Sequence, residues 1–162
     1  MMSDSRRFFV FLHHYLSTMN ELVFITPSFQ TELPLTYVDG GIQAGFPSPA
    51  QDYVDGILDL NRELIAHPAA TFYARVTGHS MEPNISEGDL LVVDRSIDPF
   101  DGCVAVCCVN NEFTIKRLDM SKRAEGMLTL FPDNPKYEPI VVKEDEKFIL
   151  WGVVRYVIHK TV

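Results

Sequence analysis

A serine and a lysine in this sequence have the types and surroundings of a hydrolytic pair. Ser80 lies in Gly78-His79-Ser80-Met81, and Lys116 lies in the apolar run 113–118. A serine hydroxyl becomes a nucleophile when a neighbouring base takes its proton, and a neutral lysine amine can be that base. The pair predicts a serine endopeptidase with Ser80 as nucleophile and Lys116 as general base.

Lys116 can act as a base only where its surroundings disfavour the ammonium. A free lysine has a pKa near 10.4, so about one in two thousand is neutral at pH 7. Burial can lower the pKa of a lysine by about 3 to 5, and reaching about 7 costs roughly 4.6 kcal/mol. These two residues alone also fit a strand lysine extending to water and an ordinary loop hydroxyl. Gly78 before the serine and Gly88 at the end of its loop favour a nucleophile on a tight turn.

A hairpin turn predicts the surroundings of the lysine. Asn110-Asn111 separates two β-rich runs, and asparagine tolerates the positive φ of a two-residue turn. With Val109 facing Glu112, Lys116 lies opposite Ala105. The residues that share its face are then small or apolar ones: Thr114, Leu118, Cys103 and Cys107.

The elements that position this pair are mostly strands. From Thr71 onward the apolar period is two, which predicts strands near residues 71–77, 88–94, 103–109, 112–119, 126–131 and 147–159. The last is apolar on both faces, so we expect both to be covered. Ser48 has the pattern of a helix N-cap, which predicts a short helix through Val54 and Leu58. Residues 1–44 have no coherent period and are predicted to form an extended N-terminal arm. The fold class is mainly β, with one or two short helices.

Composition limits the function classes. A chain of 162 residues fits one domain and an arm. Its net charge of −8 disfavours direct DNA binding, and no apolar run approaches the roughly 20 residues of a membrane span. Three clustered cysteines, Cys103, Cys107 and Cys108, lack the spacing of a metal site or disulfide framework, so we expect reduced thiols, a cytoplasmic location, and no metal or cofactor.

Upstream of the strands lies the segment 44–50, which contains a small-residue peptide bond and fits a substrate tethered to its own enzyme. Ala44 suits a shallow pocket, Gly45 lets the backbone approach closely, and Gly40-Gly41 can act as a hinge. Tethering replaces a bimolecular encounter with a local one, for which effective molarities reach about 10⁵ to 10⁸ M. The expected reaction is self-cleavage.

Several ordered blocks resemble the LexA/UmuD family of self-cleaving Ser-Lys peptidases, over roughly residues 38–159. They are Gly78-His79-Ser80-Met81, Gly88–Asp94, Glu112–Leu118 and Trp151-Gly152-Val153-Val154, and the segment Gly45–Ala50 is similar to the UmuD branch. The resemblance implies a LexA/UmuD-like catalytic β fold, Ser80 and Lys116 as the catalytic dyad, and Ala44–Gly45 as the scissile bond.

The same resemblance implies the biological setting. It implies a homodimer whose cleavage is stimulated by RecA filaments on single-stranded DNA. Removal of arm 1–44 would release a mature domain of residues 45–162. That product would act in the SOS response as accessory subunit of an error-prone, UmuC-like Y-family translesion polymerase.

Other interpretations remain open at this point. A LexA-like transcriptional repressor needs a DNA-binding domain, for which the arm is short and without paired amphipathic helices. A non-enzymatic polymerase-binding module or a signal-peptidase-like enzyme would carry the same two residues. Met19 is an alternative start, His79 is expected to face solvent, and cleavage within one chain or between dimer mates is undecided.

Overall fold

Strands dominate the part of the chain that the computed structural model describes, residues 22–25, 35–37, 56–143 and 147–162. In chain order they are β1 Leu22–Ile25, β2 Leu35–Tyr37, β3 Gly56–Leu58, β4 Thr71–Val76, β5 Leu90–Asp94, β6 Val104–Val109, β7 Glu112–Asp119, β8 Met127–Phe131, β9 Ile140–Lys143 and β10 Phe148–Ile158. One α-helix, α1 Leu60–Leu64, and a 3₁₀ turn, Arg123–Glu125, accompany them in these ranges. The mainly β class is confirmed.

Eight strands form one antiparallel sheet in the order β1-β4-β5-β10-β6-β7-β8-β9. β2 and β3 form a separate two-stranded sheet. β1 pairs with β4 along Leu22–Ile25, so a segment of the predicted arm lies at one edge of the large sheet.

All six predicted strands are present, with ends that differ from the prediction by no more than two residues. The helix predicted through Leu58 is wrong in its described part, because Gly56–Leu58 is a strand that pairs with Leu35–Tyr37. Ser48 and Val54 lie outside the described residues. Helix α1 begins after Asp59, whose carboxylate accepts the N–H of Asn61 at 2.9 Å and so supplies the cap. The strands β1, β2, β3 and β9 were not predicted.

The β6–β7 hairpin has the predicted register. Asn110 and Asn111 take φ values of 50° and 72°, Val109 pairs with Glu112, and Ala105 pairs with Lys116. A two-residue turn of this kind matches the twist of the strands it joins, which is why two asparagines suffice to fix the pairing.

The alternation of the central strands divides the core into two clusters. In β6, Val106 and Cys108 belong to one cluster, and Ala105 and Cys107 to the other. Trp151 packs edge-on against Phe113, with 4.6 Å between the ring centroids. The expectation that β10 is covered on both faces is wrong at Ile149, which is 50% exposed.

Candidate active site

The loop between β4 and β5 carries Ser80 on a tight turn. Its two ends are joined by backbone hydrogen bonds from Val76 N to Asp89 O and from Gly88 N to Val76 O, both 2.9 Å. Gly78 and Gly88 adopt φ values of +85° and +87°, which favour glycine. Directly after the half-buried serine, Met81 is 2% exposed and anchors the turn in the core.

Lys116 approaches this turn from strand β7. The residue is 5% exposed, and its Nζ lies 2.8 Å from the Oγ of Ser80. Nζ also lies 2.8 Å from the Oγ1 of Thr114 and donates to the carbonyl of Ile115 at 3.0 Å. The structure therefore brings the two predicted site residues into hydrogen-bond contact, whereas the predicted bond Ala44–Gly45 lies outside the described residues.

These three contacts suit both protonation states of the lysine. A neutral amine has two N–H donors and one lone pair. The donors can be accepted by Thr114 Oγ1 and Ile115 O, which leaves the lone pair for the O–H of Ser80. An ammonium donates to all three oxygens. Burial of the amine acts against the ammonium, whereas the three oxygens around it act in favour of the ammonium.

His79 precedes the serine and faces solvent, as expected, with a side chain 52% exposed. Its Nδ1 lies 2.9 Å from Oε1 of Glu82, and its Nε2 lies 3.6 Å from Oε2 of Glu87. The hydrogen bond to Glu82 raises the pKa of this histidine, and the charge of the same carboxylate adds to the effect. The imidazole therefore links two parts of the loop.

Sequence reasoning did not assign roles to several groups near the dyad. Thr114 was placed on the face of Lys116, but its contact with the amine was not predicted. The ion pair between Arg117 and Asp133 and the contacts of Asn134 with the serine turn were also missed. Asp133-Asn134-Pro135 has the composition of a turn, and nothing in that pattern indicates what it contacts.

Three further features of the described part of the chain concern metal ligands, membrane-spanning helices and cysteines. Residues 22–25, 35–37, 56–143 and 147–162 contain no group of three His, Cys, Asp or Glu side chains that could hold a metal ion. Within the same ranges, no helix combines the length and apolar character needed to cross a membrane. Cys103, Cys107 and Cys108 are free and buried, as the sequence predicted.

Comparison with known proteins agrees with the fold. Residues 36–155 match the Peptidase S24-like family, and the chain belongs to that family. Protein ImpA of Salmonella typhimurium is 43% identical over 120 residues, which cover 74% of this chain and 79% of ImpA. Protein SamA of the same species, strain LT2, is 44% identical over 119 residues, which cover 73% and 80% of the two chains.

Within this family the chain is of the UmuD type, the class of SOS mutagenesis proteins to which these relatives are assigned. The LexA repressor of Edwardsiella ictaluri is more distant, with 37% identity over 132 residues that cover 80% of this chain and 62% of the repressor. The UmuD-like function is therefore favoured over the repressor. Family and relatives together support a self-cleaving serine peptidase.

Proposed function

We propose that this protein cuts itself between Ala44 and Gly45, with Ser80 as nucleophile and Lys116 as general base. The observation that carries the proposal is the 2.8 Å separation of Lys116 Nζ and Ser80 Oγ, made by an amine that is almost completely buried. That distance is within the reach required for proton transfer between a nucleophile and its base.

The reaction proceeds in two steps, the formation of an ester on Ser80 and the hydrolysis of that ester. Lys116 takes the hydroxyl proton as Ser80 Oγ attacks the carbonyl carbon of Ala44, which forms a tetrahedral oxyanion. Collapse of that species breaks the C–N bond, and the lysine returns the proton to the nitrogen of Gly45. The amine then takes a proton from water as the water oxygen attacks the ester carbonyl. When the ester C–O bond breaks, the amine returns this proton to Ser80 Oγ, and the new acid on Ala44 releases its own proton to solvent.

Self-cleavage converts the chain into an arm, residues 1–44, and a mature domain, residues 45–162. In keeping with UmuD-like relatives, we propose that the protein is a cytoplasmic homodimer, that RecA filaments on single-stranded DNA stimulate cleavage, and that the product assists an error-prone, UmuC-like Y-family polymerase. The net charge of −8 supports recruitment through proteins rather than direct DNA binding. Free buried thiols suit a reducing compartment.

Mass spectrometry of the full-length protein tests the proposal. The protein is incubated at alkaline pH, or at neutral pH with RecA, single-stranded DNA and a nucleotide. We expect fragments that end at Ala44 and begin at Gly45. Ser80→Ala should prevent cleavage, and Lys116→Met should slow it by at least about 10²-fold, the lower range for loss of a general base.

Matched controls distinguish loss of chemistry from damage to the fold. Ser121→Ala and Lys122→Met change the same residue types at exposed positions and should cut at the parental rate. Cleavage by Ser80→Ala, or a parental rate for Lys116→Met, would contradict the proposed dyad. A parent that stays intact under both conditions would favour a non-enzymatic binding module instead.

A further inference from the structure

The loop between β8 and β9 holds the backbone of the serine turn. Asn134 donates its backbone N–H to the carbonyl of Ser80 at 3.0 Å and its Nδ2–H to the carbonyl of His79 at 2.9 Å. Its Oδ1 accepts the N–H of Lys136 at 3.0 Å, and the residue is 8% exposed. One buried asparagine therefore binds two consecutive carbonyls at the position of the nucleophile.

The preceding residue, Asp133, ties the same loop to strand β7. Its carboxylate accepts the Nε and Nη2 of Arg117 at 2.9 and 2.8 Å and the Nδ2 of Asn84 at 2.8 Å. Arg117 directly follows Lys116 in β7 and also donates to the carbonyl of Gly102 at 2.8 Å. Residues 133–134 thus connect the strand that carries the lysine with the turn that carries the serine.

We propose that Asn134 is a positioning residue, and that Asp133 and Asn134, the 133–134 brace, hold the Ser80 hydroxyl at the amine of Lys116. The inference rests on the proposed function, because it concerns the distance between those two groups. A bidentate arginine–carboxylate pair fixes direction as well as separation. A displacement of about 1 Å at a reacting group can cost on the order of 10²-fold in rate.

The substitution Asn134→Asp isolates the contact with His79. At alkaline pH the new carboxylate is an acceptor only, so it retains the bond from Lys136 N and loses the donor to His79 O. It also places two acceptor oxygens against each other, which should push the serine turn away from β7. We expect the first-order rate of self-cleavage in the full chain to fall by about 10²-fold.

Two measurements separate positioning from a merely structural role. All variants are assayed at one temperature, about 20 °C below the lowest thermal midpoint among them, where a variant that is only less stable is still folded and would cut at the parental rate. The rate is also followed against pH. At the high-pH plateau, where the Lys116 amine is neutral in both proteins, the rate should still be lower, so the loss is not due to the charge that the added carboxylate brings near the amine.

Asn61→Asp, the same change in helix α1, is the matched control and should cut like the parent. Asn134→Asp within twofold of the parental rate would overturn the brace. If Asn134→Asp does not fold, Asp133→Asn decides the matter, since it weakens the link to Arg117; a tenfold slower rate supports the brace and a parental rate overturns it. If the parent cuts and Ser80→Ala does not, a parental rate for the brace variants counts against the brace alone. Cleavage by Ser80→Ala overturns dyad and brace together.

Discussion

Thr114 offers a quantitative test of whether its hydroxyl stabilises the protonated form of Lys116. Its Oγ1 lies 2.8 Å from Nζ, and Thr114→Val removes this acceptor while it keeps the shape of the side chain. In the reactive form, in which the amine is neutral, the bond joins two neutral groups and is worth about 0.5–1.5 kcal/mol. After proton transfer it joins a hydroxyl to an ammonium and is worth about 1.5–3 kcal/mol. The difference, about 1–1.5 kcal/mol, is lost from the transition state alone. At about 1.36 kcal/mol per factor of ten, cleavage should slow about tenfold.

The assay is the first-order rate of self-cleavage at alkaline pH, followed by gel electrophoresis and mass spectrometry of the fragments. Thr114→Ser restores the hydroxyl and should recover most of the rate. Thr129→Val, a change of the same type in β8, serves as control. A Thr114→Val protein as fast as the parent, or a Thr114→Ser protein as slow as Thr114→Val, would refute the idea that this hydroxyl stabilises the protonated lysine.

Three further predictions concern the framework. Burial raises the pKa of the Cys107 thiol to about 12, so at pH 8 only about one in ten thousand is thiolate. Alkylation of the native protein should therefore leave this cysteine unmodified, whereas the same cysteine in the unfolded chain should react fully. Rapid labelling of Cys107 in the native protein would contradict its burial. Gly152→Ala places a Cβ 2.8 Å from Val93 Cγ1. This overlap should lower the free energy of unfolding, measured by urea titration, by about 1–3 kcal/mol. An unchanged urea midpoint would mean that β5 and β10 separate easily to make room for the methyl group. Hydrogen bonds from Arg117 hold the pKa of Asp133 below its ordinary value of 3.8, so this carboxyl binds fewer protons in the folded state than in the unfolded one. The free energy of unfolding therefore falls as pH drops through the lowered pKa, and Asp133→Asn should lose this part of the acid dependence. A plot of stability against pH identical to that of the parent would argue against the Arg117–Asp133 ion pair.

The sequence by itself determined six strands of the large sheet and which residues share the face of the lysine. Alternating apolar residues define each strand locally, and the two asparagines at 110 and 111 set the pairing of the hairpin. Once that register is fixed, the position of Lys116 opposite Ala105 follows, because side chains alternate with a period of two. The turn that carries Ser80 was also predictable from the local sequence, since Gly78 and Gly88 supply the positive φ values that it needs.

Only the tertiary structure decided what surrounds the dyad and where the short segments pair. β1 reaches β4 across about fifty residues, and β3 forms against β2 instead of continuing a helix, because partners distant in the chain outweigh local propensity. The contact of Asn134 with Ser80 spans a similar separation and leaves no periodic trace in the sequence. Local pattern specifies which residues face inward; the packing of separate loops determines which of them meet.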